Sequence, residues 1–579
     1  MTSVTRSAGT DPGEGGLIRN PVLPGFNPDP CILRVDADYY IATSTFEWYP
    51  GVRVHHSTDL VHWRPLGGIL TERRLLDLGG AADSAGVWAP DLSYVDGVFY
   101  LVYTDVSSFA SGYWDSQNYV VSATDLAGPW SDPVALHARG FDPSLFHDTD
   151  GTSWLLTMAS DWRPGREPFA GIQIQAYDRA AGKLIGDERL IFEGTSTGLT
   201  EAPRLYREDG WYYLVTAEGG TSWPHQVTVA RSRSLYGPYE VDPDGPLLTS
   251  FGHPDLTLQK AGHGSLVSTP DGQWYLAHLA ARPYTPLGRC VLGRETAIQA
   301  VTWEPGDWPR IEGGLPSETV PAPTGVTAGA VRPDQHDEHD DFDLPVLGPD
   351  WSTLRRPATS DWVQLTARKS HLRIYGGQSP VGRQRPSLVA RRVTDPHCVF
   401  ETTMEFHPAT FRQLAGVTAY YNTRNWHYAY LTVDDEGRRI LEVMSCDTGK
   451  RTLHPDCRID VTGVDRVRLR VRFDGPVVRF AYSLRPPAEP VGAGAPAEPV
   501  EGSDSAGAGD DWRELPVELD ATILSDEYTS HLVEGEPAAW GFTGAFVGLW
   551  VQDLGADGGF ADFDSATYEV VGPDRTQPR

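Results

Sequence analysis

Cysteine is scarce in this chain: five in 579 residues (Cys31, Cys290, Cys398, Cys446, Cys457), an odd number with no CxxC pair. That argues against a disulfide framework or a zinc site and for reduced thiols in a reducing compartment. Basic residues are outnumbered, 48 Lys and Arg against 78 Asp and Glu, for a formal charge of −30. The chain therefore lacks the basic face that nucleic acid or an anionic membrane requires. No apolar run approaches the ~18 residues of a membrane span. Residues 1–10 lack the apolar core of a signal peptide. These absences predict a cytoplasmic protein whose partner is a small neutral molecule, with any polymer arriving as short imported fragments.

What is abundant is turn-forming residue: 60 Gly and 46 Pro, as in a turn-rich all-β protein. One phrase recurs five times, an apolar strand, a turn and an aromatic strand. It reads Asp29-Pro30-Cys31-Ile32-Leu33 then Tyr39-Tyr40-Ile41; Ala89-Pro90-Asp91-Leu92 then Phe99-Tyr100-Leu101; Asp142-Pro143-Ser144-Leu145 then Trp154-Leu155-Leu156. The last two copies are Glu201-Ala202-Pro203-Arg204-Leu205 then Tyr212-Tyr213-Leu214, and His263-Gly264-Ser265-Leu266 then Trp274-Tyr275-Leu276. Four copies carry Asp-Gly between the strands (at 96, 150, 209 and 271), the dipeptide preferred by type I′ hairpin turns. The aromatic strands start at 39, 99, 154, 212 and 274, steps of 60, 55, 58 and 62 residues. A hairpin-bearing repeat of this length predicts a β-propeller of five blades.

Length alone calls for at least two domains. Residues 1–17 read as a disordered tail, 18–315 as the propeller, and the Pro/Ser/Thr-rich then acidic stretch 316–340 as a linker. From 341 to 579 the strands alternate without helical stretches (399–406, 426–433, 467–473), which predicts a β-sandwich of the concanavalin or lectin-like kind. The Pro/Ala/Gly/Glu run 486–509 reads as a floppy excursion from it.

If each phrase opens the innermost part of its blade, the five openings face one end of the central axis. Asp29, Asp142, Glu201 and His263 then converge on one funnel, which is a chemical site. Paired carboxylates are what glycosidic hydrolysis needs, one to protonate the leaving oxygen and one to activate water or attack. Singly, an Asp beside Pro at a strand start is a turn residue; the shared register of three is the signal.

Several long motifs then resemble a known family. Asn20-Pro21-Val22-Leu23-Pro24-Gly25-Phe26-Asn27-Pro28-Asp29-Pro30, Thr45-Phe46-Glu47-Trp48, Gly86-Val87-Trp88-Ala89-Pro90, Thr200-Glu201-Ala202-Pro203, Leu292-Gly293-Arg294-Glu295-Thr296 and Gly541-Phe542-Thr543-Gly544 are similar to the β-xylosidases of glycoside hydrolase family 43. The resemblance implies a five-bladed propeller with a β-sandwich and hydrolysis with inversion. By motif it implies Asp29 as general base, Glu201 as general acid and Asp142 as the carboxylate that orients Glu201 and raises its pKa. It places Phe46 and Trp88 on the pocket wall, His263 and Arg294 on the sugar and the acid pair, and Phe542 as an aromatic reaching the pocket from the second domain. No cofactor is required by this reading; a calcium ion at the axis is left open, through His263, because some members hold one.

The resemblance implies an exo-acting β-1,4-xylosidase releasing xylose from xylo-oligosaccharides, with α-L-arabinofuranosidase as the alternative or second activity, and leaves a homo-oligomer open. A non-catalytic sugar-binding propeller is the rival from another class, and the three intact carboxylates count against it. A retaining fructosidase would show Asn-Asp-Pro-Asn-Gly near the start, where this chain has Asn-Pro-Asp-Pro. One departure concerns the leaving-group side: Met158-Ala159-Ser160-Asp161-Trp162 carries Ser160 where relatives carry Trp.

Overall fold

Each phrase folds into one small antiparallel sheet in the computed structural model of the chain, which describes residues 16–109, 113–326, 339–485, 511–533 and 536–572. The first sheet orders Cys31–Val35, Asp38–Thr43, Gly51–Ser57 and Arg64–Leu70. The next three begin with Gly86–Val95, Ser144–His147 and Glu201–Glu208, and the last runs Gln259–Ser268, Trp274–Ala281, Glu295–Val301. The five first strands touch in succession and close a ring.

A hydrogen bond crosses every junction of that ring. The Cys31 thiol donates to Asp91 Oδ1 (3.3 Å), Leu145 N–H to Asp91 Oδ2 (3.1 Å) and Ser144 Oγ to the Pro203 carbonyl (2.6 Å). Leu266 N–H donates to the Tyr206 hydroxyl (2.8 Å), and Ile32 N–H to Ser265 Oγ (3.1 Å). Alternating side chains of each strand point to opposite neighbours. Ala42 packs toward Leu92 and Leu101 of the second blade, while Tyr39 and Ile41 pack toward Tyr275 and Ile298 of the last. Comparable clusters fill the remaining three junctions.

The ring is clasped by its own beginning. Asn20 Nδ2 donates to Ile298 O (2.7 Å), Leu23 N–H to Thr296 O (3.1 Å) and Asn27 N–H to Arg294 O (2.9 Å), so residues 20–27 run beside the last blade's outer strand. Leu17–Arg19 pairs antiparallel with Thr319–Pro321. Two expected boundaries shift accordingly: Leu17 is strand and not tail, and 319–321 belongs to a strand inside the stretch read as linker. The expected tail over 1–15, the centre of that linker (327–338) and the excursion 486–509 lie outside the described residues.

Only two of the four Asp-Gly pairs make two-residue turns with both φ positive, Asp96-Gly97 (52° and 79°) and Asp209-Gly210 (47° and 72°). At Asp150-Gly151 and Asp271-Gly272 the loop holds five residues and only the glycine is left-handed. There Gly151 N–H donates to Asp148 O (3.0 Å) and Gly272 N–H to Thr269 O (3.0 Å), a wider turn that uses Gly at its last position.

The C-terminal unit is a β-sandwich. One sheet orders Leu372–Tyr375, Phe560–Val570, His397–Phe406, Arg466–Asp474 and Val477–Ser483. The other orders Arg439–Asp447, Asn425–Val433, Gln413–Asn422, Phe546–Asp553 and Leu388–Arg392. Val467, Leu469, Val471 and Phe473 alternate inward along one strand, as a half-buried sheet requires. The stretch Ser530–Gly544 groups with the propeller unit, although 341–579 reads in sequence as sandwich throughout.

Candidate active site

The openings of the inner strands are strained. Asp29 (φ 56°), Asp142 (φ 54°), Ala202 (φ 52°) and His263 (φ 50°) are all left-handed, a conformation costing a non-glycine residue about 1–2 kcal/mol. Such residues persist only where surrounding contacts hold them, and they cluster at functional sites. Here they bring Asp29, Asp142, Glu201, His263 and Arg294 to the wall of one cavity of about 410 Å³. Small-ligand sites span about 300–1,000 Å³.

Asp29 is fixed on both oxygens. Ser44 Oγ donates to Oδ2 (2.7 Å) and Arg294 Nη1 to Oδ1 (2.9 Å). His263 Nδ1 lies 3.7 Å from Oδ1. Burial, then the Arg204 and Arg294 charges, hold His263 well below its ordinary value, so it is a neutral imidazole at pH 7. Its Nε2 is buried without a hydrogen-bond partner among the described residues.

Glu201 and Asp142 both titrate well above the usual carboxylate range. For Glu201 burial is the largest cause, then the Asp142 and Asp29 charges, with Arg294 opposing. For Asp142 burial again leads, followed by Asp29, opposed by the Ala202 N–H, Arg204 and Arg294. The sequence reading credits Asp142 for the rise at Glu201; removal from water contributes more. Asp142 Oδ2 accepts the N–H of Ala202 (3.1 Å), the residue after Glu201, which ties the two carboxylates together.

The walls are aromatic. Phe46 stacks on Phe542 (centroids 6.0 Å, 29° between planes), and Trp88 meets Phe542 edge-on (5.6 Å, 75°). Phe542 is held by its backbone: its N–H donates to Ser84 Oγ (3.1 Å) and its carbonyl accepts from Arg294 Nη2 (3.0 Å). Arg294 therefore bridges Asp29 and Phe542. Close approach of this segment depends on glycine: a Cβ on Gly293 (φ 75°) would lie 2.4 Å from the Thr543 carbonyl oxygen and 2.8 Å from Gly544 Cα.

Residues 18–309 match the description "Glycosyl hydrolases family 43", and residues 339–493 and 504–569 match "Beta xylosidase C-terminal Concanavalin A-like domain". The chain belongs to glycosyl hydrolase family 43. It is 42% identical over 561 residues to "Xylosidase/arabinosidase 43B" of Humicola insolens, covering 96% of this chain and 98% of that protein. It is 42% identical over 562 residues to "Beta-xylosidase" of Bacillus subtilis (strain 168), covering 95% and 99%. A crystal structure of xylan beta-1,4-xylosidase from Bacillus halodurans C-125 is 44% identical and superposes with a TM-score of 0.87, covering 95% of this chain and 100% of that one.

The hydrolase carries pocket residues that its sequence did not single out: Phe109, Trp114, Phe169, Leu199, Gly219 to Ser222 and Trp540. Trp114 meets Phe141 and Phe169 edge-on at 5.2 and 5.1 Å, and Trp540 stacks on Phe542 (5.6 Å, 15°). Ser160 is not among the residues that line this cavity, although its strand partner Phe169 is; its hydroxyl donates to Arg139 O (3.1 Å), and Trp162 is 57% exposed. Beside His263, Asp29 is engaged by Ser44 and Arg294, and among the described residues no three His, Cys, Asp or Glu side chains cluster to hold a metal.

Proposed function

We propose that this hydrolase is an exo-acting, inverting β-1,4-xylosidase that releases xylose from the non-reducing end of short xylo-oligosaccharides. The observation that carries the reading is the three buried carboxylates meeting in one aromatic-walled cavity. Glu201 is raised by burial and by two neighbouring carboxylates, which favours the protonated form that a general acid needs, and it gives that proton to the leaving oxygen. Asp29, aimed by Ser44 and Arg294, takes a proton from water as the water oxygen attacks the anomeric carbon and the glycosidic bond breaks. Asp142 positions Glu201 through the Ala202 N–H and adds to its pKa. Phe46, Trp88 and Phe542 offer flat faces to the apolar side of a pentose, and His263 Nε2 offers a hydrogen bond to a hydroxyl.

An α-L-arabinofuranosidase activity is the second reading, favoured by the relative named for both sugars. We read the compartment as cytoplasmic, in keeping with five buried cysteine thiols. No described helix is long and apolar enough to cross a membrane. The test is incubation with xylobiose and with arabino-xylo-oligosaccharides, the released sugar and its first anomer being identified by NMR. Xylose appearing first as the α-anomer is expected. The β-anomer appearing first would overturn inversion, and arabinose alone would overturn the substrate assignment.

A further inference from the structure

Glu218 is a carboxylate buried to 0% exposure at the end of the strand Trp211–Glu218. Among the described residues no cation pairs with it. Five donors surround it instead. Oε1 accepts from the Thr195 N–H (2.7 Å) and Thr200 Oγ1 (2.8 Å). Oε2 accepts from Thr195 Oγ1 (2.6 Å), Thr228 Oγ1 (2.7 Å) and Gln226 Nε2 (3.4 Å). A buried charge satisfied only by neutral donors is costly to build, and a hydrophobic side chain would fill the same strand end at lower cost. Stability of the blade does not call for it.

What it holds is the acid. Thr200 immediately precedes Glu201, and Gly219 and Gly220, which line the cavity, immediately follow Glu218. The residues on either side of the Thr200-Glu201 pair, Leu199 (φ 53°) and Ala202 (φ 52°), are both left-handed. A backbone strained on both flanks of a reacting group keeps its shape only if outside bonds impose it. Three such bonds are visible: Thr200 to Glu218, Gly219 N–H to Gly198 O (2.9 Å), and Ala202 N–H to Asp142. The packing leaves no slack, since a Cβ on Gly194 would lie 1.9 Å from Thr200 Oγ1.

We propose that Glu218 is a positioning residue for the proton transfer. Through Thr200 it locks the backbone carrying Glu201 against the Gly219–Ser222 wall, so that the acid's proton points at the leaving oxygen. It touches no substrate itself. The inference rests on Glu201 being the general acid.

The test uses Glu218→Gln, Thr200→Val and Thr200→Ser beside Glu201→Gln in the full chain, on xylobiose and on an aryl xyloside with a good leaving group. Gln at 218 sets an amide NH2 among donors, Val at 200 removes one hydroxyl while keeping the side-chain shape, and Ser restores it. Misalignment by a fraction of an ångström costs on the order of 10-fold or more in rate. We expect kcat on xylobiose to fall by about that factor in Glu218→Gln and Thr200→Val. KM and the aryl substrate should change by less than about threefold, the alkaline limb of the pH profile should move, and Ser at 200 should restore the rate. Equal loss on both substrates, or a lower melting temperature with unchanged kcat and pH profile, overturns the inference while a leaving-group split in Glu201→Gln preserves the acid assignment. No split in Glu201→Gln overturns both.

Discussion

Phe542→Ala removes a ring and leaves its backbone anchors in place. The ring touches Phe46, Trp88, Trp540 and Phe109 at centroid distances of 6.0, 5.6, 5.6 and 6.2 Å, and Arg294 Cζ lies 5.6 Å from its centre. A phenylalanine offers about 150–250 Å² for burial; half of that, for a half-buried side chain, at about 25 cal/mol per Å² is worth roughly 2–3 kcal/mol. The N–H bond to Ser84 and the carbonyl bond from Arg294 do not involve the ring, so the segment stays docked and part of the loss falls on bound sugar. If half of it does, kcat/KM on xylobiose falls by roughly 10-fold, since about 1.4 kcal/mol is one decade. The melting temperature falls by a few degrees as well. Steady-state kinetics on xylobiose beside a thermal melt separate the two shares. An unchanged kcat/KM, whatever the melting temperature does, would refute the wall assignment.

Glu201→Gln should cripple xylobiose hydrolysis and spare aryl xylosides with good leaving groups, which need less protonation; equal loss on both counts against Glu201 as the acid. Asp29→Asn should lower rates by several orders of magnitude whatever the leaving group, and azide rescue giving a retained-configuration product would contradict inversion. Because burial raises Asp142 and Glu201, the folded state binds protons that the unfolded chain releases near pH 4. Their contribution to stability is thus full below about pH 4 and is lost as pH rises through the elevated folded values. Asp142→Asn should flatten the fall in melting temperature between about pH 5 and 8; an unchanged slope would count against that coupling. Gly293→Ala should push the Thr543-Gly544 backbone outward and cut kcat/KM by about 10-fold or more, and wild-type kinetics in this variant would show that the close approach is dispensable.

The blades and the carboxylates were legible because both are written locally. Alternating apolar and aromatic residues state which side of a strand meets which neighbour, and Asp29, Asp142 and Glu201 sit at one register of that pattern. Trp114, Phe169 and Trp540 were not legible, because they lie outside the repeated phrase, and what aims them is packing against distant segments. The strand Thr319–Pro321 hid for a similar reason: its Pro- and Thr-rich composition looks like linker, and its partner Leu17–Arg19 lies about 300 residues away in the chain. At Asp150 and Asp271 the dipeptide alone did not set the turn, since the loop closes from residues 148 and 269 instead.

The clasp that joins residues 17–27 to the last blade also sets an order of events during synthesis. Asp29 leaves the ribosome early, yet the Arg294 that orients it and the strand that receives Leu23 emerge some 270 residues later. Chains fold as they are made, N-terminal parts first at about 5–20 residues per second, so for many seconds the nascent polypeptide carries the Asp29 carboxylate with no fixed direction. Ser530–Gly544, bearing Phe542, arrives later still. Hydrolytic competence is thus among the last properties this polypeptide acquires, and a product truncated between residues 336 and 530 would hold all three carboxylates without the aromatic wall that Phe542 provides.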